Sequence, residues 1–69
     1  MINPTDDDIG REVIYTAKHH GAKPESGVIT SFNEHIVFVR YGRDTLSKGT
    51  AREDLNWAYI RHKQIGFQT

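Results

Sequence analysis

Cysteine is absent from this chain, which removes two devices that steady small proteins, the disulfide and the thiolate metal site. Net charge is absent as well: Lys and Arg number 9, and Asp and Glu number 9. That balance argues against a strongly basic nucleic-acid binder. Long apolar runs are missing too, none approaching the roughly 18 residues that a membrane helix needs. The opening stretch "MINPTDDDIG" carries acids where a secretory signal needs a basic region followed by an apolar one. Together these absences lead to the expectation of a cytoplasmic protein.

What is present must then do the stabilising. At 69 residues the chain forms one domain, 1–69, with its core within about 9–60, between a short N-terminal turn and a polar C-terminal tail. A domain near this size buries only about 60% of the surface its unfolded chain exposes. The core must be well packed, or a partner must cover part of it. The zero net charge is also a sum of two patches. Asp6, Asp7, Asp8 and Glu12 face Arg11 alone in the first segment, while Arg40, Arg43, Lys48 and Arg52 face Asp44 alone further on.

Along the chain, Thr5 followed by Asp8 at three residues predicts a capped helical turn, with Asp6 and Asp7 suited to its positive end and Gly10 stopping it. "REVIYTA" reads as a first strand, Val13 and Tyr15 alternating with Glu12, Ile14 and Thr16. "KHHGAKPES" reads as a loop. A hairpin follows: Gly27 to Phe32, a turn at Asn33-Glu34, and His35 to Tyr41. Because Arg40 shares a row with Ile36 and Phe38, the other row, Val37, Val39 and Tyr41, is expected in the core. "GRDTLSKG" reads as a loop with a short strand around Thr45 and Leu46. Thr50 and Glu53 have the spacing of a capping box and predict a short helical turn. "LNWAYI" closes the domain, Trp57 and Tyr59 on one face and Ala58 and Ile60 on the other. The tail "RHKQIGFQT" reads as frayed, with Ile65 and Phe67 able to dock on the hairpin.

This order predicts an all-β fold, a small barrel of four to five short antiparallel strands with one helical turn before the last strand, closed so as to leave no free edge. The stretches "GVITS", "VFVRYG" and "TAREDL", in that order, resemble the SH3-like barrel in its Tudor, chromo-barrel and KOW-type variants. The stretch from "DIGREVIY" to "REDLNW" also resembles small proteins encoded by tailed bacteriophages and prophages. The resemblance implies a fold and a phage or prophage setting, and no particular activity, since SH3-like barrels host many. It departs from the Tudor pattern of a methyl-lysine cage: the first loop offers no aromatic ring except histidine, and Arg40 beside Tyr41 would repel a cation. The closely spaced glycines of the KOW motif are missing too.

Catalysis and metal binding find little to build on. His19 and His20 are adjacent and diverge on extended chain, with His35 in the hairpin turn and His62 in the tail, which is not a zinc ligand pattern. Ser31, Glu34 and His35 flank a turn open to water, a poor place for an activated nucleophile. A barrel this small is expected to be filled by its own side chains, with no cavity, and "YGRDTLSKGT" has neither phosphate-loop spacing. The expectation is a non-enzymatic binding module with no cofactor, no metal and no small-molecule substrate. A protein partner, host or self, would be contacted by Ile36 and Phe38 as apolar anchors and Arg40 as charged rim. The alternative is weak, salt-sensitive nucleic-acid binding through Arg40, Arg43, Lys48 and Arg52, with Phe38 and Tyr41 nearby, of which only Phe38 is left to stack because Tyr41 is expected in the core.

Overall fold

Strands form where β-branched and aromatic residues cluster. The computed structural model of the chain describes residues 1–58; the expectations placed on Tyr59, Ile60, His62, Ile65 and Phe67 lie outside them. Five strands follow in order: β1 (Glu12–Tyr15), β2 (Glu25–Phe32), β3 (Ile36–Tyr41), β4 (Lys48–Ala51) and β5 (Leu55–Trp57). One 3₁₀ turn, Asp6–Asp8, precedes β1, and a second, Arg52–Asp54, joins β4 to β5. All pairings are antiparallel, in the order β4-β3-β2-β1-β5.

The protein is therefore all-β, but the expected closure into a barrel is not present among the described residues. The sheet is open, with β4 and β5 as its two edges. Among the described residues no α-helix covers it, and it buries one face by curling, which brings Tyr15 of β1 to Tyr41 of β3. That face presents Val13, Ile29, Val37, Val39, Tyr41 and Leu55, all buried. Strand β3 displays the alternation cleanly: Val37, Val39 and Tyr41 are buried, Ile36 and Phe38 half-buried, and Arg40 exposed. The expected core row is the observed one.

Gly27 lies opposite Val13 on one side and Tyr41 on the other. A Cβ there would stand 2.5 Å from Val39 Cγ1 and 2.9 Å from the Arg40 carbonyl oxygen, so only glycine lets β2 and β3 approach this closely. Further along β2 the register slips: Ile29 pairs with Val39 and Ser31 with Phe38, leaving Thr30 as an extra residue. This bulge lets Ile29 and Phe32 both pack on the core side. The Thr30 hydroxyl holds it in place by donating to the Phe38 carbonyl at 3.2 Å.

Several local readings change. The hairpin turn is Asn33-Glu34-His35 rather than two residues. The Asn33 side-chain oxygen accepts the His35 and Ile36 amides, each at 2.8 Å, an Asx turn that delays β3 by one residue. No strand forms around Thr45 and Leu46, and Leu46 is exposed; the strand lies at Lys48–Ala51 instead. Thr50 does not cap a helical turn. It belongs to β4, is buried, and makes a 2.7 Å hydrogen bond with the Tyr41 hydroxyl. The turn starts at Arg52, preceded by Ala51, which has no capping side chain.

The first turn matches its expectation and does more. The Asp8 carboxylate accepts the Thr5 amide at 2.8 Å and the Arg11 guanidinium at 2.8 Å. Those bonds, Arg11 first, hold its carboxyl below the ordinary value. Arg11 in turn lies 3.9 Å over the Trp57 ring, a cation–π contact that fastens the turn to β5. Gly10 reverses the chain with a φ of 93°. Ahead of the turn, Ile2 is buried in the core and its amide donates to the Arg52 carbonyl at 3.2 Å. The segment read as a short acidic turn thus contributes a core residue.

Candidate functional site

Two surfaces carry the residues singled out in the sequence, and a third emerges only from the fold. The first is the outer face of the β2–β3 hairpin. Ile36, Phe38 and Arg40 line it on β3, with Val28 opposite Arg40 on β2. On β4, Gly49 sits opposite Phe38 and Ala51 opposite Ile36. A Cβ at Gly49 would meet Ile36 Cγ2 at 3.0 Å and Phe38 Cε1 at 3.6 Å, so these two apolar side chains lean over the glycine. They are not part of the buried cluster on the other face. Ile9, which follows the first 3₁₀ turn, is itself exposed and does not cover this row.

The basic segment does not converge on one patch. Arg40 projects from the outer face, and Arg43 is exposed in the turn after Gly42. Lys48 stands 3.9 Å from the Asp44 carboxylate. Arg52 is half-buried, and its guanidinium donates to the Asn33 carbonyl, bracing the hairpin turn against the second 3₁₀ turn. Two of the four cations are therefore engaged within the chain, and the other two leave from different positions. Of the two rings nearby, Tyr41 is buried in the core as expected, on the opposite face from Phe38.

His19, His20 and His35 are exposed. Among the described residues no three His, Cys, Asp or Glu side chains are grouped as metal ligands. Ser31, Glu34 and His35 are likewise exposed. Among the described residues no helix is long and apolar enough to cross a membrane.

The third surface is a cleft of 420 Å³, where an interior without space had been expected. The cleft opens at the seam left by the open sheet. Tyr15 and Tyr41, on the ends of β1 and β3, form its aromatic wall, with ring centroids 6.0 Å apart at 64°. Glu25 and Asp54 bring carboxylates, and Thr50 and Lys48 border it from β4. Burial pushes the Tyr41 hydroxyl up from its ordinary value; the Thr50 hydrogen bond opposes this, and the nearby charges of Glu25 and Asp54 add to it. The signal in the sequence was that Tyr15 and Tyr41 each end an inward-facing row. It was hidden because their meeting depends on strand order. Arg40, adjacent to Tyr41 in sequence, faces away from this wall, so its charge does not guard the cleft as the sequence suggested. The chain matches no family model, no curated protein and no solved structure.

Proposed function

We propose that this chain is a non-enzymatic binding module that contacts a protein, a host protein or a second copy of itself, through the outer face of the β2–β3 hairpin. The observation that carries the reading is the pair Ile36 and Phe38, half-buried beside exposed Arg40 on a face that the core does not use. Apolar anchors ringed by polar and charged groups are the composition of an interface. The arrangement of strands supports an SH3-like, partly open barrel: a four-stranded meander, a 3₁₀ turn, and a last strand returning to β1. The same reading places the protein in the cytoplasm and in a phage or prophage setting.

The test is the Phe38→Ala variant, compared with the parent by concentration-dependent NMR for self-association and by capture from a bacterial lysate. The variant is expected to stay folded and to lose association, and the parent's association is expected to persist as salt rises. Unfolding of the variant would place Phe38 in the core and end the proposal. Binding of DNA or RNA that fades steeply with salt, with shifts near Arg40 and Arg43, would favour the nucleic-acid reading instead.

A further inference from the structure

The cleft at the open seam shares Gly49 and Ala51 of β4 with the hairpin surface, but its charged and aromatic groups are its own, and its chemistry can be read separately. Hydrogen bonding comes first. The Thr50 hydroxyl lies 3.4 Å from the Lys48 carbonyl and closer to Tyr41. The Tyr41 and Thr50 hydroxyls share a 2.7 Å hydrogen bond in which either can be the donor, and in both directions the phenol oxygen keeps a lone pair with which to accept. Its raised proton affinity keeps that hydroxyl neutral.

Charge comes second. Asp54 lies 3.7 Å from the Lys18 ammonium, on the side of the β1–β2 loop. Glu25 takes part in no ion pair among the described residues. Lys48, the cation at the rim, is highly exposed and is drawn toward Asp44. The cleft thus offers two carboxylates, an acceptor phenol oxygen and an aromatic wall to whatever enters.

The backbone comes third. One border of the cleft is β4, which among the described residues is an edge strand paired only with β3. An edge strand presents backbone groups to which an extended segment can add.

We infer that this cleft is a second binding site, which takes a basic side chain of an extended peptide lying along β4. The ammonium or guanidinium meets Glu25 and the Tyr41 oxygen and lies against the Tyr15 ring, while the peptide backbone runs beside Lys48–Ala51. A charge-assisted hydrogen bond to Glu25 supplies much of the attraction, and the ring face supplies a cation–π contribution. This site does not depend on the hairpin surface, and either can fail without the other.

The experiment is an amide NMR titration of the full chain with a capped Ala-Lys-Ala-Lys-Ala peptide, its arginine counterpart, and its glutamate counterpart as control. The expected result is shifts at Tyr15, Glu25 and Lys48–Ala51 with a basic peptide and none with the acidic one. Glu25→Gln should weaken binding by roughly tenfold, the worth of one hydrogen bond to a charged group. Glu34→Gln, an equal charge change on the exposed hairpin turn, should leave it unchanged. Glu25 is itself exposed at the start of β2, so its replacement should leave the spectrum of the free protein folded. The inference fails if the basic peptides shift nothing, if the acidic peptide does as well, if both glutamine variants weaken binding equally, or if the shifts fall on Ile36 and Phe38.

Discussion

Replacing Gly27 by alanine tests how closely the two central strands are packed. The added methyl would lie 2.5 Å from Val39 Cγ1, 2.8 Å from Tyr41 Cδ1 and 2.9 Å from the Arg40 carbonyl oxygen. A side-chain methyl can rotate aside, but the Arg40 carbonyl is fixed by the β2–β3 ladder, so relief requires the strands to separate. Overpacking of this kind costs about 1–3 kcal/mol. Against it, alanine restricts the unfolded chain and returns about 0.4–1 kcal/mol. The net expectation is a loss of about 1–2 kcal/mol, a lowering of the melting temperature by about 5–15 °C for a domain of this size. Thermal and urea unfolding, followed by circular dichroism, measure it. Gly49→Ala is the internal control, because its nearest contact is the Ile36 Cγ2 methyl at 3.0 Å on the outer face; a change within about 0.5 kcal/mol is expected there. If Gly27→Ala melts at or above the parent, or if Gly49→Ala is the worse of the two, the close approach of β2 and β3 at this point is wrong.

Two further outcomes follow from the N-terminal segment. Ile2→Ala should cost about 2–5 kcal/mol, the range for emptying a buried aliphatic site, and should match Val39→Ala in urea unfolding; a negligible loss would mean that Ile2 does not belong to the core. For Asp8, the folded carboxyl titrates below its ordinary 3.8, so its contribution is full above that value and disappears as pH falls through the lower, folded value. Urea midpoints should therefore decline on acidification through this window, and Asp8→Asn should be less stable than the parent at neutral pH but fall less steeply. Equal acid sensitivity in the two proteins would remove Asp8 from that role.

The facing of β3 was legible because a single residue marks it. Arg40 cannot be buried without a partner, so it assigns its whole row to the outside, and Val37, Val39 and Tyr41 to the core. The Thr5–Asp8 turn was legible for a similar reason, since every bond within it spans three residues. What could not be read depends on contacts distant in sequence. Lys48–Ala51 has the composition of a loop, and pairing with β3 makes it a strand. Thr50 and Glu53 have the spacing of a cap, yet Thr50 answers to Tyr41, while Glu53 is claimed by Lys18, 35 residues away. Ile2 follows the same rule: nothing in its neighbours says that the core reaches back to it. The Thr30 bulge left a fainter trace, two polar residues between Ile29 and Phe32 where strict alternation allows one.

The two surfaces on which function is proposed follow from how the sheet closes. Among the described residues the meander pairs β1 with β5 and leaves β4 unpaired on one side, so the seam is bordered by something other than a ladder. Near Arg52, Ile2 fills it from the chain's beginning, with its amide on the Arg52 carbonyl. Near Asp54, Tyr15, Tyr41 and Glu25 border it and leave the cleft. Full hydrogen bonding across the seam would remove that cleft and cover the free edge of β4. The outer row of β3 owes its exposure to the opposite cause. Gly49 supplies no side chain over Phe38, and Arg40 keeps the row's end in water. The side chains that set the two surfaces are thus different, Tyr15, Glu25 and Tyr41 at the cleft and Ile36 and Phe38 on the outer row, with Gly49 bordering both, so a substitution at Glu25 or at Phe38 should leave the other surface's binding intact.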